Sequence, residues 1–334
     1  MKRWRKILFL FMVSILMVGL AACNFGSKDS DLEKVRVAEV TRSVFYAPLY
    51  VAVEQGFFEE EGLEVEVTTV WGGDKTMTAL ISDGADIALV GSETSIYVSS
   101  QGSTDPIINF AQLTQTDGTF LVSREKIEDF SWDMLKDSDF LGQRKGGMPQ
   151  MVGEFVLKQH GIHPHNDLNL IQNIDFANIA NAFISGTGDF VQLFEPQASM
   201  FEKEGRGYIV ASFGTESGHV PYTTFMTKES YLTENDETVE KFTTAIYKAQ
   251  QWVYENSSTD TAKLIEKYFA DTDLEIIESS IERYKSQESF ATNPVLDEEE
   301  WENLQNIMDE AGELPERIDY EELVNTEFAE KVMK

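Results

Sequence analysis

The sequence predicts an α/β protein of two lobes, each a parallel-containing sheet flanked by helices, with a cleft between them. Three observations carry this. A β-α-β-α-β pattern occurs twice, about a hundred residues apart. Both copies open a helix on a proline, Pro48 or Pro149, and reach a matching Ala-apolar-Ile-Ser step 31 residues later at Ala79 and 33 later at Ala182. Beyond Thr223-Thr224-Phe225-Met226 the chain reads as helices. Two units of this kind are what a pair of layered α/β lobes requires. The alternative is chance similarity of two buried segments; matched order and spacing favour the repeat.

Each element has a local cause. Val35-Arg36-Val37-Ala38-Glu39-Val40 alternates as a strand does. Proline at a first helical position loses no hydrogen bond, so Pro48 opens a helix with Leu49, Tyr50, Val53 and Phe57 on its apolar face. Gly56 and Gly62 are stop signals. Leu63 to Val67 is a second strand, Asp74 a candidate N-cap before Thr76–Ser82, and Ala85 to Val90 a buried strand. In the second copy Pro149 opens QMVGEFVLKQHG, Gly161-Ile162 parallels Gly62-Leu63, and Asp167 to Gln172 supplies a strand. Asp189-Phe190-Val191 parallels Asp86-Ile87-Ala88. Phe120-Leu121-Val122 and Thr223–Met226 flank this copy as crossover strands. The expected units are therefore 35–120 for the first lobe, 121–222 for the second, and 223–334 for a return to the first lobe with C-terminal helices. Those helices are expected on the Val239-Phe242-Ile246-Ala249-Val253 face, then around Ala262–Phe269, Leu274–Tyr284, Glu298–Met308 and Tyr320–Met333.

Composition narrows the function. The 334 residues carry 27 Lys+Arg against 58 Asp+Glu, a net charge of −31. So acidic a chain is a poor nucleic-acid ligand, because phosphate binding needs cations that displace counterions. Electrostatic docking on anionic lipid is disfavoured for the same reason. With 22 Phe, 11 Tyr and 5 Trp it is too apolar for a disordered acidic tail. One Cys rules out an intramolecular disulfide framework and a thiolate zinc site.

The N-terminus gives an address. Lys2, Arg3, Arg5 and Lys6 precede a short apolar run from Ile7 to Leu20, then Leu20-Ala21-Ala22-Cys23. The run is short for a spanning helix and suits a signal peptide, residues 1–22, with small residues before the cleavage point. Cleavage there removes four bases and no acid, leaving 312 residues at −35. Cys23 directly after that point resembles a bacterial lipobox, whose thiol is acylated; the alternative is an ordinary signal peptide with an incidental Cys. Residues 23–34 then form a polar tether.

Ligands of open α/β sheets bind beyond the carboxyl ends of the strands, where helix N-termini present N–H groups. In the first lobe these junctions are Arg42 to Pro48, Trp71 to Thr76, and Gly91-Ser92-Glu93-Thr94; in the second they are Lys145 to Gln150, Asn173 to Asn178, and Phe194-Glu195-Pro196. The candidate ligand-binding residues are Phe45, Tyr46, Trp71, Gly72, Gly73, Ser92, Glu93, Gly147, Met148 and Glu195. Each has a structural alternative: glycines shape turns, aromatics fill cores, and Glu93 can cap the helix after it. Glu195 precedes Pro196, which forbids further ladder pairing, so a cleft-facing carboxylate is expected there. His160, His163 and His165 read as a polar turn rather than a metal site. No Gly-x-Ser-x-Gly elbow, Walker loop or HExxH is present, so no catalytic residue, metal or cofactor is assigned.

Phe45-Tyr46-Ala47-Pro48-Leu49-Tyr50-Val51-Ala52, then Gln55-Gly56-Phe57-Phe58 and Glu61-Gly62-Leu63-Glu64-Val65, resembles the opening signature of ABC-importer substrate-binding proteins for sulfonates, taurine, nitrate and the pyrimidine precursor of thiamine. Ala79-Leu80 through Asp83-Gly84-Ala85-Asp86-Ile87-Ala88 is similar to their second signature, and Phe194-Glu195-Pro196 to their aromatic–acid–Pro step. The likeness covers roughly Val35 to Phe225. It implies a type II periplasmic-binding fold, a hinge of two crossover strands, and lobes that close on a small-molecule ligand. It also implies delivery to a membrane permease with a cytoplasmic ATPase. Sulfonate members commonly carry Asp where this chain has Glu195, and Glu93 adds a second acid. Two carboxylates with only Lys75, Arg144 and Lys145 nearby disfavour nitrate and favour a neutral, zwitterionic or basic solute, such as an aminopyrimidine or amino-sulfonate. An enzyme of pyrimidine-precursor synthesis on the same scaffold, or an adhesive surface lipoprotein, are the rival readings. Export separates the chain from cytoplasmic cofactors, and adhesion needs no glycine-lined cleft.

Overall fold

The computed structural model describes residues 32–334; the leader, Cys23 and most of the expected tether lie outside them. Ten strands are described: β1 (Glu33–Glu39), β2 (Leu63–Thr69), β3 (Ile87–Gly91), β4 (Ile107–Thr114), β5 (Thr119–Ser123), β6 (Asp139–Leu141), β7 (Asn169–Ile171), β8 (Phe190–Phe194), β9 (Tyr208–Ser212) and β10 (Thr223–Lys228). They form two five-stranded sheets, ordered β2-β1-β3-β10-β4 and β7-β6-β8-β5-β9. The plan is the same twice. β1 and β3 run parallel, as do β6, β7 and β8. Beside each set lies an antiparallel strand from the other half of the chain: β10 against β3 and β4, and β5 against β8 and β9. Phe120–Val122 and Thr223–Met226 are thus the two crossings, and the two-lobed α/β class holds.

Helices cover the sheets: α1 (Ala47–Glu54), α2 (Gly73–Ile81), α3 (Glu93–Ser100), α4 (Met148–Gln159), α5 (Ile179–Ile184), α6 (Gln197–Lys203), α7 (Asp236–Glu255), α8 (Ser258–Ile265), α9 (Leu274–Ser286) and α10 (Glu298–Ala311). Pro48 and Pro149 each sit in the first turn of their helix. Three strands escape the periodicity reading. β4 is buried along its whole length and β9 half-buried along its whole length, so neither alternates, and β6 is three residues long. A period of two is written only where one face is wet.

Three local expectations differ from the structure. α1 ends at Glu54, and Phe57, expected on its apolar face, opens a separate turn, Phe57–Glu60, after Gly56 at φ +73. α2 starts at Gly73, one residue before the proposed Asp74 cap, because Gly72 turns the chain at φ +138; Asp74 instead pairs with Arg144 at 2.9 Å. The single helix expected over Tyr320–Met333 breaks into Tyr320–Leu323 and Glu327–Val332. Val324 between them is extended and bridges to Asn109, whose amide donates to Leu323 O at 3.0 Å.

The lobes meet on an aromatic hub. Phe45 packs against Tyr284 of α9 (5.1 Å between ring centroids), Tyr222 (5.6 Å) and Phe194 (5.8 Å). The Tyr284 hydroxyl donates to Gly118 O at 2.8 Å and accepts from Glu195 N–H at 3.1 Å. Ser43 Oγ donates to Glu195 O at 2.6 Å. First lobe, first crossing, second lobe and C-terminal helix are thereby joined within one buried cluster.

Gly118 sits against the flat of this hub: a Cβ there would lie 2.7 Å from three atoms of the Phe45 ring. A rigid ring cannot yield as a flexible chain end would. Gly118→Ala is expected to lose about 1–3 kcal/mol in urea unfolding, the usual cost of overpacking. Adding Phe45→Leu should recover part of that loss. Additive losses in the double variant would show that the two sites do not clash.

Candidate functional site

Between the sheets lies a partly open cavity of about 80 Å³ walled by strand-end junctions of both lobes. The first lobe contributes Val40, Tyr46, Gly72, Gly73, Gly91 and Glu93; the second contributes Gln143, Arg144, Gly147, Met148, Phe176 and Phe194; Tyr222 and Thr223 enter at the second crossing. Tyr46, Phe176, Phe194 and Tyr222 put four rings into a mainly apolar wall, which suits a flat apolar solute face.

Six of the ten expected residues come together here: Tyr46, Gly72, Gly73, Glu93, Gly147 and Met148. The glycine pairs divide their work. Gly72 (φ +138) and Gly146 (φ +84) hold turns that disfavour a side chain. Gly73 and Gly147 line the cavity, where a Cβ would take space without clashing.

The other four stand elsewhere. Phe45 is hub core, one layer behind Tyr46. Ser92 is buried and its hydroxyl donates to Pro221 O, tying α3 to the segment before β10. Trp71, in the left-handed region (φ +58) and 45% exposed, lines a second cavity of about 330 Å³. Glu195 lines that second cavity too, with its carboxylate fully engaged. Oε2 accepts from Ser199 N–H at 2.9 Å, and Oε1 accepts from Ser199 Oγ at 2.7 Å and faces Arg283 Nη1 at 3.1 Å. The expected solvent-facing carboxylate is therefore buried, because α6 begins immediately after Pro196 and presents its N–H groups to it. Burial raises its pKa against the pull of Arg283 and Ser199.

Glu93 is the unusual group. It is 3% exposed, and its Oε1 accepts from Met148 N–H, across the cleft at the start of α4, at 3.3 Å. Its Oε2 has no hydrogen-bond partner. The carboxyl folds back over Gly91, where a Cβ would lie 2.1 Å from Oε2. Burial away from water pushes its pKa up to about 8, against the opposing pull of its own N–H and that of Met148. Arg144, the basic side chain lining this cavity, already pairs with Asp74. Gln143 adds a second open acceptor: its Nε2 donates to Gln192 O at 2.6 Å, leaving a buried Oε1 without a partner.

Gln143, Phe176, Phe194 and Tyr222 were not among the expected site residues. Phe194 ends β8 as Gly91 ends β3, so equivalence of the two copies could have flagged it. Phe176 opens a short 3-10 helix, Phe176–Asn178, inside the junction expected at Asn173 to Asn178, and Gln143 sits in a loop with no periodic signal. The three histidines take separate surroundings: His160 stacks on Trp132 (4.8 Å) and meets Glu216 at 3.0 Å, and His165 meets Glu154 at 3.3 Å. Among the described residues no group of three or more His, Cys, Asp or Glu could hold a metal ion.

The raised pKa of Glu93 has a sign. A carboxyl held above its ordinary value of 4.5 gives stability that is complete below about pH 4.5 and is lost as pH rises through about 8. Glu93→Gln keeps the shape and cannot titrate. The unliganded variant is expected to gain on wild type by on the order of 3 kcal/mol between pH 4.5 and 9, measured by denaturant unfolding. A difference that stays flat with pH would mean that Glu93 is solvated.

Comparison with known proteins agrees with this geometry. A family model described as the NMT1-like family matches residues 29–268. The chain is 66% identical over 333 residues, 99% of each chain, to a Bacillus subtilis (strain 168) protein named "Putative binding protein YtlA". It is 24% identical over 254 residues to the formylaminopyrimidine-binding protein of Halalkalibacterium halodurans, covering 73% of this chain and 74% of that one. The alkanesulfonate-binding protein SsuA from Xanthomonas axonopodis pv. citri, solved with MOPS, superposes with a TM-score of 0.69 at 15% identity, over 88% of this chain and 98% of that one. With its repeated sheets, its inter-lobe cavity and a family match over most of its length, the chain belongs to the NMT1-like family.

Proposed function

We propose that this chain is the extracytoplasmic solute receptor of an ABC importer. It is held at the membrane through lipid on Cys23 and closes two lobes on a small organic solute, which it delivers to a permease driven by a cytoplasmic ATPase. The observation that carries this reading is the cavity itself. It is lined by strand-end junctions from both sheets, so a solute inside it touches both lobes and favours the closed form. β5 and β10 are the two crossings about which the lobes, near 35–120 and 121–222, would pivot. The solute is an aminopyrimidine-type compound or an amino- or alkyl-sulfonate. The first is supported by the aromatic wall, the open acceptors and the formylaminopyrimidine-binding relative; the second by the fold shared with the alkanesulfonate-binding protein.

Native mass spectrometry of the purified chain should show a co-purified small molecule. Returning that molecule to stripped protein should shrink the radius of gyration in small-angle scattering. An unchanged radius at saturation would remove the two-lobe clamp.

Anchoring has its own test. One acyl chain holds a protein only marginally, whereas two or more hold it stably. Cys23→Ser should leave the chain in the medium or unprocessed; a processed, cell-bound variant would refute lipid attachment.

A further inference from the structure

We infer that Glu93 is the specificity-determining residue of the cleft: its carboxyl occupies the helix N-terminus that an anionic solute would use, and it is the group that a hydrogen-bond-donating solute must engage. This rests on the receptor reading and decides between its two solute classes.

The geometry has three parts. First, α4 spans twelve residues, and its N-terminus faces the cavity at Met148, where exposed N–H groups would ordinarily draw an anion. Glu93 reaches that N–H from the opposite lobe and accepts from it at 3.3 Å, so the seat is already filled by a side chain of the protein. Second, the position is built for the carboxyl. Gly91 has no Cβ in the space that Oε2 occupies, and Glu93 itself opens α3, so two helix N-termini converge on one carboxyl. Third, that carboxyl is buried with Oε2 unpartnered, and Gln143 of the other lobe, which lines the same cavity, carries a second unpartnered oxygen, Oε1. A buried acceptor without a donor is costly, so the missing partners are expected to come from the solute.

The surroundings do not soften this for an anion. Arg144 pairs with Asp74 in a half-exposed ion pair, Lys75 and Lys145 stand at the neighbouring junctions without lining the cavity, and the phenols of Tyr46, Tyr97 and Tyr222 lie near Glu93. An anion entering the cavity would have to displace Glu93 from Met148 N–H, and above about pH 8, where the carboxyl ionises, would lie beside a like charge. A solute with an amino group beside a ring nitrogen matches the protonated carboxyl of Glu93, which accepts from the amino N–H and donates to the ring nitrogen, while the second amino hydrogen is free for Gln143 Oε1.

The test uses the full-length chain in detergent and two probes, 4-aminopyrimidine and methanesulfonate, titrated by calorimetry at pH 7 and pH 9. Three proteins are compared: wild type, Glu93→Gln and Glu93→Ser. Serine empties the seat, whereas glutamine keeps its shape and stays folded if serine does not. Methanesulfonate is expected to bind Glu93→Ser at least tenfold more tightly than wild type at both pH values. 4-Aminopyrimidine is expected to bind wild type at least tenfold more tightly than Glu93→Ser at pH 7. Equal methanesulfonate affinity in wild type and Glu93→Ser overturns the inference. So does 4-aminopyrimidine binding that neither substitution changes, or its absence from wild type. An anionic co-purified solute retained equally by wild type and Glu93→Gln would remove Glu93 from solute selection and leave the receptor reading standing. A chain that carries no solute and shows no lobe closure would remove the receptor reading itself.

Discussion

The Tyr284 hydroxyl joins three parts of the chain that are remote in sequence. It donates to Gly118 O at the first crossing and accepts from the Glu195 N–H at the end of β8, while its ring backs onto Phe45. A buried phenol that both donates and accepts fixes its neighbours within hydrogen-bond tolerance, since leaving either side unmade costs the full desolvation of the group. The cleft inherits that precision. Tyr46 follows Phe45, Phe194 precedes Glu195, and Tyr222 packs edge-on against Phe45, so three of the four aromatic walls of the cavity are mounted on the hub.

Four buried acids illustrate how differently one fold handles the same desolvation problem. Glu39 accepts from Tyr50 and Thr69 and pairs with Arg42, which lies near the rings of Tyr50 and Tyr268. Glu195 has Arg283 and two donors from Ser199. Asp117 takes the Thr119 N–H and hydroxyl and faces Tyr222. Glu93 has neither cation nor hydroxyl donor, only backbone N–H groups. Burial raises the pKa of all four. The first two are compensated within the fold, as buried charges must be to persist. Glu93 is compensated least, and it lines the cavity where the glycine-pair junctions of the two lobes meet. Sites that bind are where a fold leaves such accounts open.

Much of this was legible in the linear sequence, and the reasons are physical. Strands with one wet face, helices opened by Pro48 and Pro149, and stops at Gly56 and Gly62 are local events, so local composition records them. The duplicated order of elements follows, and with it the strand-end junctions where ligands of such sheets bind. That is why the sequence places Tyr46, Gly72, Gly73, Glu93, Gly147 and Met148 at those junctions, and in the fold all six line one cavity. β4 and β9 were not, because uniform burial erases alternation, and the break at Val324 was not, because a distant Asn109 imposes it.

What only the tertiary structure decided is the orientation of side chains at those junctions. Glu93 and Glu195 are both acids at the carboxyl end of a buried strand, and the sequence ranks Glu195 the more functional. In the folded chain Glu195 is turned onto Ser199 and Arg283, a contact made across 88 residues, whereas Glu93 is turned across the cleft onto Met148 with one oxygen open. Sequence determines which residues reach the cleft, because strand ends and turns are encoded locally. Which of two equivalent carboxyls is consumed by the scaffold depends on where α6 and α9 pack, and that is a property of the whole fold.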